Sequence, residues 1–259
     1  MAEFDPAPAA HLLARAWHDD TQIVELPAPL RPRSLREGYD VQDLLASQLG
    51  EATVGWKLGV GSPDAMRKAR LDRPVVGRVT ASRRFDAGAT VELRSTAPAT
   101  IEFEIAFVLA RNIAPGEAPS VPITVVQSIH MTCEVVRARY VDRRAVGWPS
   151  FVADDSAFRA LVVGSSISAA SAQRVAHTVV VHVDGREAAR GVQGGERTDP
   201  VASLKALLAH ASDRRITLRR GELVSTGTVS VPFDVAQPRA EIVASAAGAE
   251  LGFRLVMAP

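Results

Sequence analysis

The chain has 259 residues, nearly half of them hydrophobic, and a formal net charge of +1. That length and apolar content suit one large domain, or one domain with a helical appendage. Near-neutrality argues against bulk electrostatic binding to nucleic acid or to an anionic membrane, and the single cysteine, Cys133, rules out an intrachain disulfide and a cysteine-built zinc cluster.

No apolar run reaches the length of a membrane span. Residues 1–5 lack the basic and apolar regions of a signal peptide, so a soluble, cytoplasmic protein is expected. Lys57, Lys68 and Lys205 are the only lysines beside many arginines. Arginine cannot lose its proton at working pH, whereas a desolvated lysine can, so each lysine is a candidate for chemistry.

Residues 9–18 are rich in helix formers and place Leu12, Leu13 and Trp17 on one face. Pro27, Pro29 and Pro32 mark a loop. Residues 36–49 return to helical spacing, with Gly50 as the C-cap. Residues 54–62 read as a short strand in which Gly55, Gly59 and Gly61 surround Lys57; glycine lets a ligand approach the backbone closely. Lys57 has two readings: a strand lysine extending its head to water, or a half-buried ammonium that holds a substrate carboxylate or moves a proton. A short helix over 64–70, a turn into a strand over 71–79, a turn at 86–89 and a strand over 90–93 follow.

Residues 100–109 form a strand rich in Ile, Phe and Val. Alternation sends Ile101, Phe103 and Ile105 to one face and Glu102 and Glu104 to the other. One reading of the paired glutamates is a solvated sheet edge. The other is a site for a hard divalent cation bound through oxygen, with Glu134 as third ligand.

Residues 111–122 are a Pro/Gly loop. Residues 124–140 are expected to be helical, with Val125, Ile129, Cys133 and Val136 on one face. On that reading His130 and Glu134 lie one turn apart, a metal-compatible spacing, but no second histidine completes a zinc set nearby. Asp154 and Asp155 follow an apolar stretch and precede a strand at 160–163, and acids so placed commonly cap turns. Residues 175–183 are predicted as a strand holding His177 and His182, closed by the hairpin turn Asp184-Gly185. The glycines of 191–195 do not link a strand to a helix as a phosphate loop would. A helix over 200–211 and strands over 223–229, 240–245 and 249–256 complete the chain. The arginine pairs, Arg143-Arg144 among them, read as solvated.

Taken in order, these pieces resemble the 2-keto-4-pentenoate hydratase family of the fumarylacetoacetate hydrolase-like superfamily. The carrying residues are Gly55 to Gly59 around Lys57, Glu102 to Phe107, Glu134-Val135-Val136 with Arg139-Tyr140, Val152-Ala153-Asp154 with Ser156, and Gly221 to Gly227. The resemblance implies an α+β fold: a mixed β-roll or sandwich with flanking helices, an N-terminal helical part with the Lys57 strand over 1–75, and a catalytic β-roll over 76–259. It implies Mg²⁺ or Mn²⁺ on Glu102, Glu104 and Glu134, a role for Lys57 near the substrate carboxylate, and a pocket lined by Asp72, the segment Asp154–Ser156 with Ser156 toward the substrate, and Thr226. It also implies a homo-oligomer, with a complex with a related subunit or pathway enzyme as a further option. Arg137-Ala138 replaces the family's usual Asp-Ser, and Asp155 its usual Asn.

Such a site would chelate the adjacent oxygens of a 2-oxo or 2-hydroxydienoic acid. The expected reaction is addition of water to a 2-hydroxy-2,4-dienoate, with Asp154 sharing the acid–base work with Lys57. A 2-oxo acid decarboxylase, an acylpyruvate-type C–C hydrolase and a non-catalytic partner of an active paralogue are the alternatives.

Overall fold

The computed structural model describes residues 3–95 and 97–258. Its elements run α1 (Ala7–Asp19), α2 (Leu35–Leu49), β1 (Thr53–Gly59), α3 (Pro63–Ala69), β2 (Val75–Thr80), β3 (Arg84–Asp86), β4 (Thr90–Leu93), β5 (Ala99–Leu109) and β6 (Val126–Val136). There follow α4 (Gly147–Ala153), β7 (Phe158–Ile167), α5 (Ala169–Thr178), β8 (Val180–Val183), β9 (Arg186–Arg190) and α6 (Pro200–Asp213). The last strands are β10 (Leu223–Thr228), β11 (Phe233–Val235), β12 (Arg239–Ala246) and β13 (Ala249–Met257).

The predicted α+β roll is present. An eight-stranded mixed sheet has the order β2-β1-β10-β5-β6-β7-β3, with β11 also paired to β5, and a five-stranded sheet has the order β4-β13-β12-β8-β9. β1, which the sequence groups with the N-terminal helices, is hydrogen-bonded between β2 and β10 inside the large sheet.

Each face of the large sheet meets a different partner. Ile101, Phe103, Ile105, Met131 and Cys133 join a core with Ile242, Leu251 and Phe253 of the small sheet and Leu204 and Leu207 of α6. On the opposite face Ala106, Val136 and Leu161 pack against Leu13 and Trp17 of α1 and Val41 and Leu45 of α2. Ser34 caps α2 by accepting from the Glu37 N–H, and Gly50 ends it at φ 66°, left-handed backbone that suits glycine. No helix among the described residues is long and apolar enough to cross a membrane.

Two segments differ from the sequence expectation. Residues 124–140 are not a helix. Val126–Val136 is a long strand paired with both β5 and β7. Its apolar residues fit a helical stripe, but Ile129, Met131, Cys133 and Val135 also fit period two, and two neighbouring ladders decide between them. Residues 175–183 are not one strand either. Ala169–Thr178 is a helix whose N-cap Ser168 accepts from the Ser171 N–H, and only Val180–Val183 is extended. The alanine-rich start and the serine cap outweigh the alternation downstream. In addition, Gly147–Ala153, read as loop and apolar stretch, forms the short helix α4.

Candidate metal centre

The face of the large sheet that meets α1 and α2 carries the site. Glu102 on β5 is the cross-strand partner of Glu134 on β6, and Glu104 is the partner of Thr132. One carboxylate oxygen from each of Glu102, Glu104 and Glu134 lies within 4.8 Å of the others. Directly opposed like charges destabilise a sheet, and here two of them are out of water: Glu104 is 0% and Glu134 1% exposed.

Glu104 is tethered by one oxygen. Its Oε2 accepts from the Ser225 hydroxyl at 2.6 Å and from the Gly227 N–H at 3.0 Å. Its Oε1 is buried with no hydrogen-bond partner among the described residues. Burial, then the Glu134 and Glu102 charges, push its carboxyl well above the ordinary range, against the pull of those two hydrogen bonds. Glu134 Oε1 faces the Lys57 ammonium at 3.1 Å, an ion pair without hydrogen-bond alignment. Burial lifts Glu134 to about 7, with Lys57 opposing the rise.

Lys57 occupies a slot cut by glycine. Its neighbours in register are Ser225 on β10 and Gly77 on β2. A Cβ on Gly77 would sit 3.0 Å from Lys57 Cε and 2.8 Å from the Asp155 carbonyl oxygen, so a side chain there would evict the lysine. Lys57 is 3% exposed and donates to the Ser156 carbonyl at 2.6 Å. The extended reading of its head in bulk water is thereby excluded.

A cleft of about 230 Å³ opens beside these groups, reached by Lys57, Glu102 and Ser156. Val136, Trp148 and Phe151 form its apolar wall. Backbone strain collects along it. Val60, which also borders the cleft, has φ 57°, and Asp155, Ser156 and Ala157 run consecutively at 50°, 51° and 62°. Left-handed backbone at such residues costs about 1–3 kcal/mol each and persists only where the surroundings enforce it.

The other sequence candidates fall elsewhere. Asp154 is 0% exposed, and its carboxylate is taken up by the Arg139 backbone N–H and the Arg139 guanidinium, which also donates to the Phe158 and Asp154 carbonyls. It does not border the cleft. Asp72 is exposed on a separate cleft with Arg73 and His210. The Thr226 hydroxyl is spent on the Ile105 carbonyl at 2.7 Å. The Ser156 hydroxyl donates to the Val76 carbonyl at 3.1 Å, so Ser156 serves Lys57 through its backbone. His130 is no ligand partner of Glu134. Four residues along a strand span about 13 Å, and its ring nitrogens meet the Gly164 carbonyl at 2.9 Å and Ser128 Oγ at 3.0 Å. Cys133 faces the core, where burial pushes its thiol far up.

Sequence reasoning missed Ser225 and the Gly227 N–H as anchors of Glu104, while Asp155, inside the segment that the resemblance set along the pocket, is buried. The Asp155 carboxylate accepts from the Arg78 N–H at 2.7 Å, and burial raises it to about 7 against that bond and Lys57. Its place after Ala-Asp, where an asparagine was expected, was the available signal. Sequence reasoning also took Arg143 and Arg144 for solvated surface, yet both line the cleft.

The donor set suits a hard divalent cation: three carboxylates, two of them buried, with an oxygen on Glu104 that meets no donor among the described residues. Without a cation, protonation and the Lys57 ammonium share the relief of these groups.

Residues 58–253 match the sequence profile of the family described as Fumarylacetoacetate (FAA) hydrolase C-terminal. A 4-oxalocrotonate decarboxylase from Pseudomonas sp is 23% identical over 201 residues, covering 76% of this chain and 77% of that protein. A 2-keto-4-pentenoate hydratase from Burkholderia vietnamiensis (strain G4 / LMG 22486) is 27% identical over 200 residues, covering 74% of each. Among solved structures, the 4-oxalocrotonate decarboxylase from Pseudomonas putida G7 complexed with magnesium and adipate superposes with a TM-score of 0.83, at 21% identity over 97% of each chain.

Proposed function

We infer the reaction of this chain from one premise: it belongs to the fumarylacetoacetate hydrolase C-terminal family, whose members named above are enzymes acting on small acids. The reading is a hydratase dependent on Mg²⁺ or Mn²⁺ that adds water to a 2-hydroxy-2,4-dienoate to give a 4-hydroxy-2-oxo acid. The observation that carries it is the meeting of Glu102, Glu104 and Glu134 beside the buried Lys57, at the edge of a cleft.

When bound, a hard divalent cation supplies a Lewis-acid charge for the two adjacent oxygens of such an acid. The protein's own groups do the rest. Ser225 and Gly227 fix Glu104 so that its Oε1 stays free. The Lys57 Nζ, held by the Ser156 carbonyl and facing Glu134, carries a proton at the cleft for the substrate carboxylate or for the far carbon of the dienol. Val136, Trp148 and Phe151 keep water from one side of the substrate.

A decarboxylase on a 2-oxo acid is the second reading, favoured by the likeness to 4-oxalocrotonate decarboxylase along nearly the whole chain. Incubating the purified chain, with Mg²⁺ or with Mn²⁺, in parallel with a 2-hydroxy-2,4-dienoate and with an unsaturated 2-oxo diacid, while dienol absorbance, 4-hydroxy-2-oxo acid and CO₂ are followed, separates the two. Loss of the dienol without CO₂ supports the hydratase. Stoichiometric CO₂ from an unsaturated 2-oxo diacid supports the decarboxylase. No turnover with either metal rejects both.

A further inference from the structure

A second cleft, of about 450 Å³, lies where the end of α1 meets strands of both sheets. Trp17 and His18 border it from α1, Phe85 from β3, Glu92 from β4 and Arg159 from β7. Arg83 and Arg94, from the turns beside β3 and β4, border it as well. None of its residues borders the cleft beside the glutamates. Its volume suits a small organic molecule.

The charges of this cleft do not balance. Its two acids are Asp20 and Glu92. Asp20 is used up inside the fold: Oδ1 accepts from the Arg137 guanidinium at 3.1 Å, and Oδ2 from the Arg159 guanidinium at 2.9 Å and the Arg94 backbone N–H at 2.6 Å. One carboxylate therefore serves two arginines. Glu92 is exposed and pairs with no arginine among the described residues. Arg83, half-buried, and Arg94, exposed, have neither a carboxylate partner nor a side-chain hydrogen bond among the described residues. The Nε–H groups of Arg83 and Arg159 are buried without an acceptor there. Arg83 is held by stacking, its guanidinium carbon 4.5 Å from the centre of the Trp17 ring, which fixes a cation in place without neutralising it. Elsewhere the chain gives its half-buried arginines carboxylates: Arg78 has Asp43, and Arg214 has Asp40 and Asp43. Here Arg83, Arg94, Arg137 and Arg159 stand against Asp20 and Glu92. The surplus is two positive charges, three of the four guanidinium groups lie on the wall of one concave site, and such groups grip phosphate or carboxylate oxygens in bidentate fashion.

We propose that the cleft bordered by Arg83, Arg94 and Arg159 is a second ligand site, separate from the glutamates, for a small organic dianion: a phosphate monoester or a dicarboxylate. Two negative charges match the surplus, and Phe85 gives the organic part an apolar surface. A monoanion leaves one guanidinium charge unbalanced, and a neutral molecule leaves both, so charge sets the preference. The site does not depend on which reaction the glutamates serve.

The test is calorimetric titration of the full chain, loaded with Mg²⁺, with phenyl phosphate, with phthalate and with benzoate as the monoanion. At least one dianion is expected to bind about tenfold or more tightly than benzoate, the worth of one added charge-assisted hydrogen bond. Which of the two binds identifies the source as phosphate monoester or dicarboxylate. R83Q together with R94Q is expected to remove the preference, and E104Q, altered at the glutamates, to keep it. R94Q alone, at an exposed side chain outside the core, is expected to weaken the bound dianion about threefold, so the idea remains testable if the double variant folds poorly. No saturable binding of either dianion overturns the proposal, as does equal affinity for benzoate. A preference that survives the arginine substitutions, or that is lost in E104Q, places the ligand elsewhere and overturns it too. Sedimentation of the parent and of the double variant covers the remaining case: a change of oligomeric state without dianion binding means that a second copy fills the cleft, and the ligand site is rejected.

Discussion

Glu102 and Glu134 stand opposite one another on antiparallel neighbours β5 and β6, each the cross-strand partner of the other. Sheets ordinarily avoid like charges in this relationship. Here a third carboxylate, Glu104, joins them from two residues along β5, and Lys57 reaches Glu134 from β1. The local arrangement is unfavourable for the empty fold and becomes favourable when a cation is shared among the acids.

The ligand roles make a paired prediction. Glu104→Gln and Glu134→Gln are each expected to weaken Mn²⁺ binding by about 100-fold or more, since even outer partners of metal ligands cost 10–100-fold. Glu104→Gln also removes a buried charge, so that variant is expected to melt higher than the metal-free parent, whereas Glu134→Gln leaves the buried Lys57 ammonium unpaired and is expected to melt lower. Calorimetry with Mn²⁺ and thermal unfolding in chelator measure the two halves separately. Unchanged affinity would remove the assignment.

Metal-free stability should fall as pH rises. Glu134 and Asp155 are each raised to about 7 in the fold, from ordinary values of 4.5 and 3.8, and Glu104 is raised as well. A carboxyl raised in the folded state gives stability that is full below its unfolded pKa and lost as pH passes its folded pKa. The melting temperature in chelator is therefore expected to decline between about pH 5 and pH 8. Because ligands must be deprotonated, Mn²⁺ affinity should climb over the same window with release of protons. Titrations in buffers of different ionisation heat count those protons.

Lys57 is expected to be indispensable and not replaceable by arginine. Lys57→Met should cut turnover by about 10²–10⁴, the usual worth of a positioned acid–base group. Lys57→Arg should stay impaired, because a guanidinium cannot give up its proton and is too broad for the slot beside Gly77. Circular dichroism of both variants checks that the fold is kept. Normal turnover in Lys57→Met would end the role.

Asp154 is expected to act on stability and not on chemistry. Its carboxylate and Arg139 form a buried pair, and Arg139 also ties down the Phe158 carbonyl. Breaking a buried pair from one side costs about 3–5 kcal/mol, so Asp154→Asn should lower the urea midpoint markedly. Turnover per folded molecule is expected to remain within about twofold. A collapse of turnover in a well-folded variant would restore the acid–base assignment.

The helices over Ala7–Asp19 and Leu35–Leu49 and the strand over Ala99–Leu109 were legible because each carries its own period and stop signals. The strand over Val126–Val136 was not, since its apolar residues fit both periods and only pairing with β5 and β7 breaks the tie. For the same reason His130 looked like a companion of Glu134 when the two are held well apart along one strand.

By itself the sequence determined that Glu102 and Glu104 share a face opposite Ile101, Phe103 and Ile105, because side-chain alternation is a property of any strand. It also singled out Lys57 among glycines. Only the tertiary structure decided that Glu134 lies across from Glu102, that Ser225 and Gly227 hold Glu104, that Asp154 is spent on Arg139, and that Arg143 and Arg144 flank the same cleft. Those facts depend on cross-strand register and on which loops fold over one sheet face, and both are set by hydrogen bonds and burial between segments far apart in the chain.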